Sequence, residues 1–311
     1  MRSPVPAPAS PALLHRVGLQ AQNWLDTHRD RLRPTPETDA DATALSERLK
    51  ATSEVAVITQ VLIREGVAGS RQHSQAENLL DFAWRELLDG GNVLTDLQHA
   101  EPYSPIPLEA YAPFHELGYR HPGLETALGV FRQARTCTAL EMAPTRRLGV
   151  LNAERKIGLP PSGDFDDAVR RTWLGQLPEP WTVQFHIAYD ITHTVFHVTN
   201  WGQSPDRIPA DIADYLARYL PAWLEGWADQ EHWDLLGELL VVDACLPRPV
   251  LADHLWERYA AAQTPSGAMP VERSMPEHNP DELFAVAHHP TLVAAFASAM
   301  ATSRALSLNG A

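Results

Sequence analysis

Between Pro180 and Asp206 the chain contains no Lys, Arg or Glu. A helix with a solvated face normally carries such residues, so any helix formed here is buried nearly all round. Read at 100° per residue, His186, Asp190, His193 and His197 fall on one narrow stripe of a helix over 183–201, spaced 4, 3 and 4 apart. The remaining surface is apolar: Phe185, Ile187, Ala188, Ile191, Val195, Phe196 and Val198. Such a helix has to sit inside something, with its polar stripe turned toward a cavity or toward other buried polar groups.

The rest of the sequence reads as helix after helix: 11–28, 39–66, 73–89, 105–118, 122–139, 144–157, 164–176, 209–227, 232–246, 249–263 and 281–305. Asp39 and Asp41 stand where an N-cap is expected, and Pro249 stands near a first turn. Gly90-Gly91, Gly158 before Pro160-Pro161, and Gly202 before Pro205 mark ends. No period-2 runs joined by hairpin turns are present, so the chain is expected to be all-α. About twelve helices joined by short connections suit stacked antiparallel pairs. The absence of a 30–45-residue repeat disfavours an open solenoid, leaving an α/α barrel of about six helical hairpins. In such a ring, helix 183–201 belongs to the inner layer. Helix 209–227, with Asp211, Asp214, Arg218 and Glu225, belongs to the outer layer. The expected organisation is a Pro-rich disordered lead over 1–10, one domain over 11–305 and a flexible tail over 306–311.

A net charge of −14 argues against a nucleic-acid or anionic-membrane surface. Two cysteines, Cys137 and Cys245, are too few for a disulfide framework or a thiolate metal site. The N-terminal segment lacks a long apolar stretch, and no apolar run was expected to reach the roughly 18 residues of a membrane helix. The expected setting is the cytoplasm, with a small molecule as partner, neither nucleic acid nor membrane, and room for an oligomer. Of 25 basic residues only Lys50 and Lys156 are lysine, a bias that carries no chemistry by itself.

The stripe is too long for one site, because His186 and His197 lie ~16 Å apart along a helix axis. The bet therefore rests on Asp190, His193 and His197, the last two at the i,i+4 spacing of helical His-x-x-x-His zinc sites. His232 is the candidate fourth ligand, and the expected ion is Zn²⁺ or Fe²⁺. Asp190, His193 and Asp243 are the expected catalytic groups, Asp243 projecting from the apolar face of helix 232–246. His186, Phe196, Trp201 and Arg147 are the expected substrate contacts, Arg147 for a phosphate or carboxylate. The bland alternative for the stripe is a buried polar network that satisfies itself.

Two segments carry a resemblance. Gln263-Thr-Pro-Ser-Gly267, after the segment Leu255–Ala262, is similar to the Gln…Gly…Trp turn motif of terpenoid-cyclase-type α/α toroids, with Met269 where that motif has tryptophan. Asp164-Phe-Asp-Asp167 is similar to the Asp-x-Asp-Asp motif of class II terpene cyclases. Tyr189–Gly202 also resembles an uncharacterised actinobacterial family of helical proteins found beside natural-product genes. The resemblance implies the toroid fold and, in the cyclase reading, an Asp166 that protonates an alkene from an apolar cavity. The null for that motif is a capped helix start. Three functions follow as expectations: a metal-dependent enzyme of specialised metabolism acting on a small, largely apolar substrate; a proton-initiated cyclase; or a non-enzymatic helical scaffold or carrier with a dry core.

Overall fold

The computed structural model describes residues 7–34, 42–275 and 279–309, and among these it is all-helical. Helix α1 (Pro11–His28) starts on Ser10, whose hydroxyl accepts from Leu13 N at 3.2 Å, with Pro11 at the first helical position. It is followed by α2 (Ala42–Glu65), α3 (Ser70–Phe82) and α4 (Asn92–Ala100). Helix α4 is absent from the helices expected from the sequence, where Gly90-Gly91 marks only an end. Both glycines are left-handed, at φ 61° and 103°, so the chain reverses there and starts a new helix at once. Next come α5 (Ile106–Glu116), α6 (Pro122–Phe131) and the short α7 (Arg135–Ala139), the last two having been read as one helix. The second half holds α8 (Pro144–Lys156), α9 (Phe165–Arg171), α10 (Phe185–Val198), α11 (Ala210–Asp229), α12 (Trp233–Cys245), α13 (Asp253–Ala262) and α14 (Pro280–Asn309). The expected cap residues Asp39 and Asp41 lie outside the described residues.

The packing has a simple order. Helix α14 packs on α2, α2 on α5, α5 on α8, α8 on α10, α10 on α12, and α12 back on α14. Around this cycle, α1 lies against α14, α3 against α2, α4 against α5, α6 against α4, α9 against α8, and α11 and α13 against α12. Burial follows the same division. Every residue of α12 is buried, whereas α11 exposes Asp211, Asp214 and Arg218, as the charge pattern predicts.

Helix α14 corrects one expectation. The window Glu282–Leu308 has mean hydropathy 1.4 and is long and apolar enough by composition to cross a membrane. Its buried share is 72%, turned against α1, α2 and α12. The helix also runs on to Asn309, through most of the expected tail. At the other end, Ala7–Ser10 are not a free lead. Ala9 N donates to Leu251 O at 2.7 Å and Asp253 N to Ala7 O at 2.8 Å, which holds the segment along residues 251–253.

Asp243 supports that same segment. Helix α13 starts at Asp253, so Pro249 lies in a loop, and the buried Asp243 carboxylate accepts from Val250 N at 3.0 Å and Leu251 N at 2.7 Å. The expected catalytic group is a loop anchor. Burial pushes its pKa up, and the two backbone donors oppose that. Asp243→Ala strands two buried N–H donors and should lower the urea-unfolding free energy by about 3 kcal/mol. A loss under ~0.5 kcal/mol, the size of an ordinary surface substitution, would refute the anchor role.

Candidate functional site

One cavity of about 330 Å³ opens among α2, α5, α8 and α10. Helix α2 contributes Lys50, Ser53 and Glu54, α5 contributes Glu109 and Pro113, and α10 contributes His193 and His197. On α8, Arg146, Gly149, Ala153 and Lys156 recur every three or four residues, so one face of that helix forms a wall. Trp201 closes one side.

Gly149 sets the closest approach in the cavity. The position a β-carbon would take on it lies 2.6 Å from Glu109 Oε1 and 3.2 Å from His197 Nε2. Only a glycine lets a carboxyl and an imidazole converge on the same spot of helix backbone. Burial pushes the Glu109 carboxyl up to about 7, with Arg146 and Arg132 opposing. The Arg146 Nη2 atom is 2.5 Å from Glu109 Oε2, but not in hydrogen-bond alignment, and the Glu109 side chain keeps 18% of its surface open to the cavity. Burial also pushes His197 down to about 3, helped by His193, Lys156 and Arg146. His197 is therefore neutral at pH 7, and its buried Nδ1 has no hydrogen-bond partner among the described residues. A carboxyl that titrates near neutrality therefore faces an imidazole that stays neutral.

Trp201 is placed by strain. After α10 the residues Asn200, Trp201 and Gly202 are all left-handed, at φ 50°, 56° and 82°. Arg64 holds this turn through Asn200 O at 3.3 Å and Trp201 O at 2.6 Å. The indole then stands edge-on to His197 at 5.9 Å and stacks on Phe196 at 5.2 Å. Left-handed non-glycine residues cost energy, and here the strain is spent on orienting one cavity wall.

Behind the cavity lies a second charged group that sequence reading did not find. His289 on α14 puts Nδ1 3.0 Å from Glu54 Oε2 on α2, and Nε2 3.5 Å from Asp234 Oδ1 and 3.6 Å from Glu238 Oε1 on α12. Tyr189 donates to Asp234 Oδ2 at 2.6 Å, and Thr192 donates to Glu238 Oε2. Burial works against the imidazolium, but the carboxylates outweigh it and hold His289 well above the usual histidine range. Burial likewise pushes Glu54 and Glu238 up, yet His289 beside Glu54, and His193 with His289 beside Glu238, hold both below the usual range. Asp234 remains raised, by burial and by Glu238.

The expected residues separate accordingly. His193, His197 and Trp201 line the cavity, and Phe196 is buried behind Trp201. His193 has its Nδ1 2.7 Å from Tyr189 O, which leaves Nε2 as the free nitrogen of that ring. His186 and Asp190 share the stripe but are exposed, because the cavity covers only the C-terminal half of α10. His232 caps α12, accepting from Leu235 N at 3.3 Å, and its ring lies against Phe185 and Trp227. Among the described residues no group of three or more His, Cys, Asp or Glu is arranged to hold a metal ion. Arg147 turns away and donates to Cys137 O and Leu140 O; its neighbour Arg146 is the one at the cavity. Asp166 is exposed in the first turn of α9, where Asp164 caps by accepting from Asp167 N at 2.7 Å. It does not meet the cyclase requirement for an acid held in an apolar cavity. Glu54, Glu109, Asp234, Glu238 and His289 were missed. Asp234 and Glu238, four apart on a helix whose other residues are nearly all apolar, were the available signal.

Among the described residues, fold and site together define an all-helical protein with a charged cavity among α2, α5, α8 and α10. A family profile described as "Domain of unknown function (DUF6895)" matches residues 18–299, and the chain belongs to that family. No curated protein and no solved structure matches it.

The His289 cluster gives a pH signature. Its imidazolium binds a proton more tightly when folded, so its contribution is complete below the unfolded histidine pKa of about 6.5 and is lost as pH rises through the folded value. Urea stability of the wild type should fall on the alkaline side of neutrality, and His289→Gln should abolish that fall while costing about 3–5 kcal/mol at pH 6.5. An unchanged alkaline slope in the variant would remove His289 as the centre of the cluster.

Proposed function

We propose that the cycle α14–α2–α5–α8–α10–α12 is the inner ring of an α/α barrel, and that its cavity is the active site of an enzyme acting on a small molecule. The observation that carries the reading is the convergence of Glu109 and His197 on Gly149, inside a cavity large enough for a small metabolite. Glu109, titrating near neutrality, is the group that exchanges a proton with the substrate, and His197 is a neutral imidazole that hydrogen-bonds to the substrate. Arg146 adjusts Glu109 and offers a cation to an anionic group on the substrate.

The apolar part of the lining, Val57, Ile106, Ala112, Pro113 and Trp201, suits a substrate with a hydrocarbon or aromatic portion. This retains the expectation of a small and partly apolar substrate. It takes the proton chemistry from α5 rather than from Asp190, Asp243 or Asp166. The His193–His197 pair keeps imidazole nitrogen at the cavity, and a Zn²⁺ or Fe²⁺ bound there would draw its further ligands from the substrate or from Glu109. A polar cavity of this volume does not match the dry core that a purely structural scaffold calls for.

A thermal-shift screen of small metabolites should raise the Tm of the wild type, and the same compounds should leave Gly149→Leu unchanged, because that side chain fills the meeting point. Compounds that bind should be turned over by the wild type, and Glu109→Gln should lower kcat by about 10²–10⁴-fold while still binding. Compounds that bind in the cavity and emerge unaltered would make the protein a carrier and overturn the enzymatic reading.

A further inference from the structure

The chain has 25 basic residues, and 23 of them are arginine. Only three basic residues line the cavity, Lys50, Arg146 and Lys156, and both lysines of the protein are among them. Elsewhere among the described residues arginine, with His73 and His254, supplies the cation of the surface ion pairs, so a general need for positive charge does not explain lysine here. Lysine can do one thing that arginine cannot at neutral pH, which is to lose its proton and become a nucleophile.

The two lysines differ. Lys50 is 77% exposed at the mouth, 3.8 Å from Glu54. Lys156 ends α8 with its side chain 5% exposed, its Nζ 2.8 Å from Glu116 Oε2 and 3.3 Å from Gln60 Oε1. Gln60 Nε2 in turn donates to the same Glu116 oxygen at 2.5 Å, so the amine is held in position rather than left on a flexible stem. Burial pushes the Lys156 ammonium down, and Glu116 only partly offsets it. Lys156 is also close enough to His197 to help lower that imidazole, which places the amine in the same electrostatic space as that ring.

We propose that Lys156 is a carbonyl-reactive amine and that the substrate class of this cavity is aldehydes or ketones, bound as a protonated imine. The proposal rests on the acid–base reading of the cavity and names its substrate class. Lys156 first passes a proton to Glu116, 2.8 Å away, and its lone pair forms the C–N bond while the carbonyl oxygen takes that proton from Glu116. The nitrogen then returns a proton to Glu116, which delivers it to the hydroxyl, and the hydroxyl leaves as water. The sum is ammonium plus carbonyl giving protonated imine plus water, with the Glu116 carboxylate restored and no change of oxidation state.

The test is reductive trapping on the full-length protein. Wild type, Lys156→Arg and Lys50→Arg would each be treated at pH 7 with propanal or pyruvate and cyanoborohydride, and the labelled peptides mapped by mass spectrometry. Lys156 should be alkylated faster than Lys50, by about tenfold for each unit by which its pKa is lowered. Lys50→Arg should leave that label intact, and Gly149→Leu should abolish it. An unlabelled Lys156, or a Lys156 slower than the exposed Lys50, overturns the proposal. If compounds from the thermal-shift screen are still turned over in that case, the acid–base reading survives and only the imine fails. Circular dichroism and Tm of Lys156→Arg separate loss of label from loss of fold.

Discussion

The packing of α14, α2 and α12 depends on how one imidazolium is housed. His289 stands on α14 between Glu54 on α2 and the Asp234/Glu238 pair on α12, so three neighbours in the packing cycle meet at a single cation. Three carboxylates buried there without it would repel one another in a low-dielectric medium. Two of the carboxylates are held ionised by the histidine charge and the third is raised, which keeps the negative charge gathered around the one cation down. Buried ion clusters contribute little net stability over a well-packed apolar core. Their attested role is to fix one arrangement against alternatives. In α12, whose faces are otherwise apolar leucines and valines that pack in any rotation, Asp234 and Glu238 define which side points toward α14 and α2.

That orientation reaches the cavity directly. Glu54 is shared, since it accepts from His289 on one side and lines the cavity on the other. His193 is shared as well, facing the cavity while its charge bears on Glu238. The near-neutral Glu109 and the neutral His197 owe their states first to burial, with Arg146 and Arg132 acting on the one and His193, Lys156 and Arg146 on the other.

The fold class was legible because the evidence for it is local. Helix caps, glycine stops and the missing charges between 180 and 206 each act within a few residues, and α11 exposes the charged residues its pattern displays. The candidate site was only half legible. His193, His197 and Trp201 were found because they share one helix and its following turn, where spacing alone reports a common face. Glu109, Glu54 and His289 lie on three other helices, and their meeting is set by packing between segments up to 235 residues apart. Asp243 and Asp166 misled for a related reason. A carboxylate on an apolar face and an acidic helix start both satisfy backbone N–H groups, at a loop in one case and at a cap in the other, and neither use leaves a mark in the sequence that differs from catalysis.

Gly149 and the two lysines show what packing adds to composition. A glycine inside α8 costs about 1 kcal/mol against alanine, and nothing along the helix explains it. The explanation lies across the cavity, where Glu109 and His197 occupy the volume a side chain would need. The scarcity of lysine reads in the same way. As a count it reflects only a preference for arginine, and it acquires meaning when the two exceptions turn up on the walls of one cavity. A residue that is unfavourable or disfavoured where it stands, and that faces the same space as two perturbed titratable groups, is better explained by what that space holds than by the element that carries it.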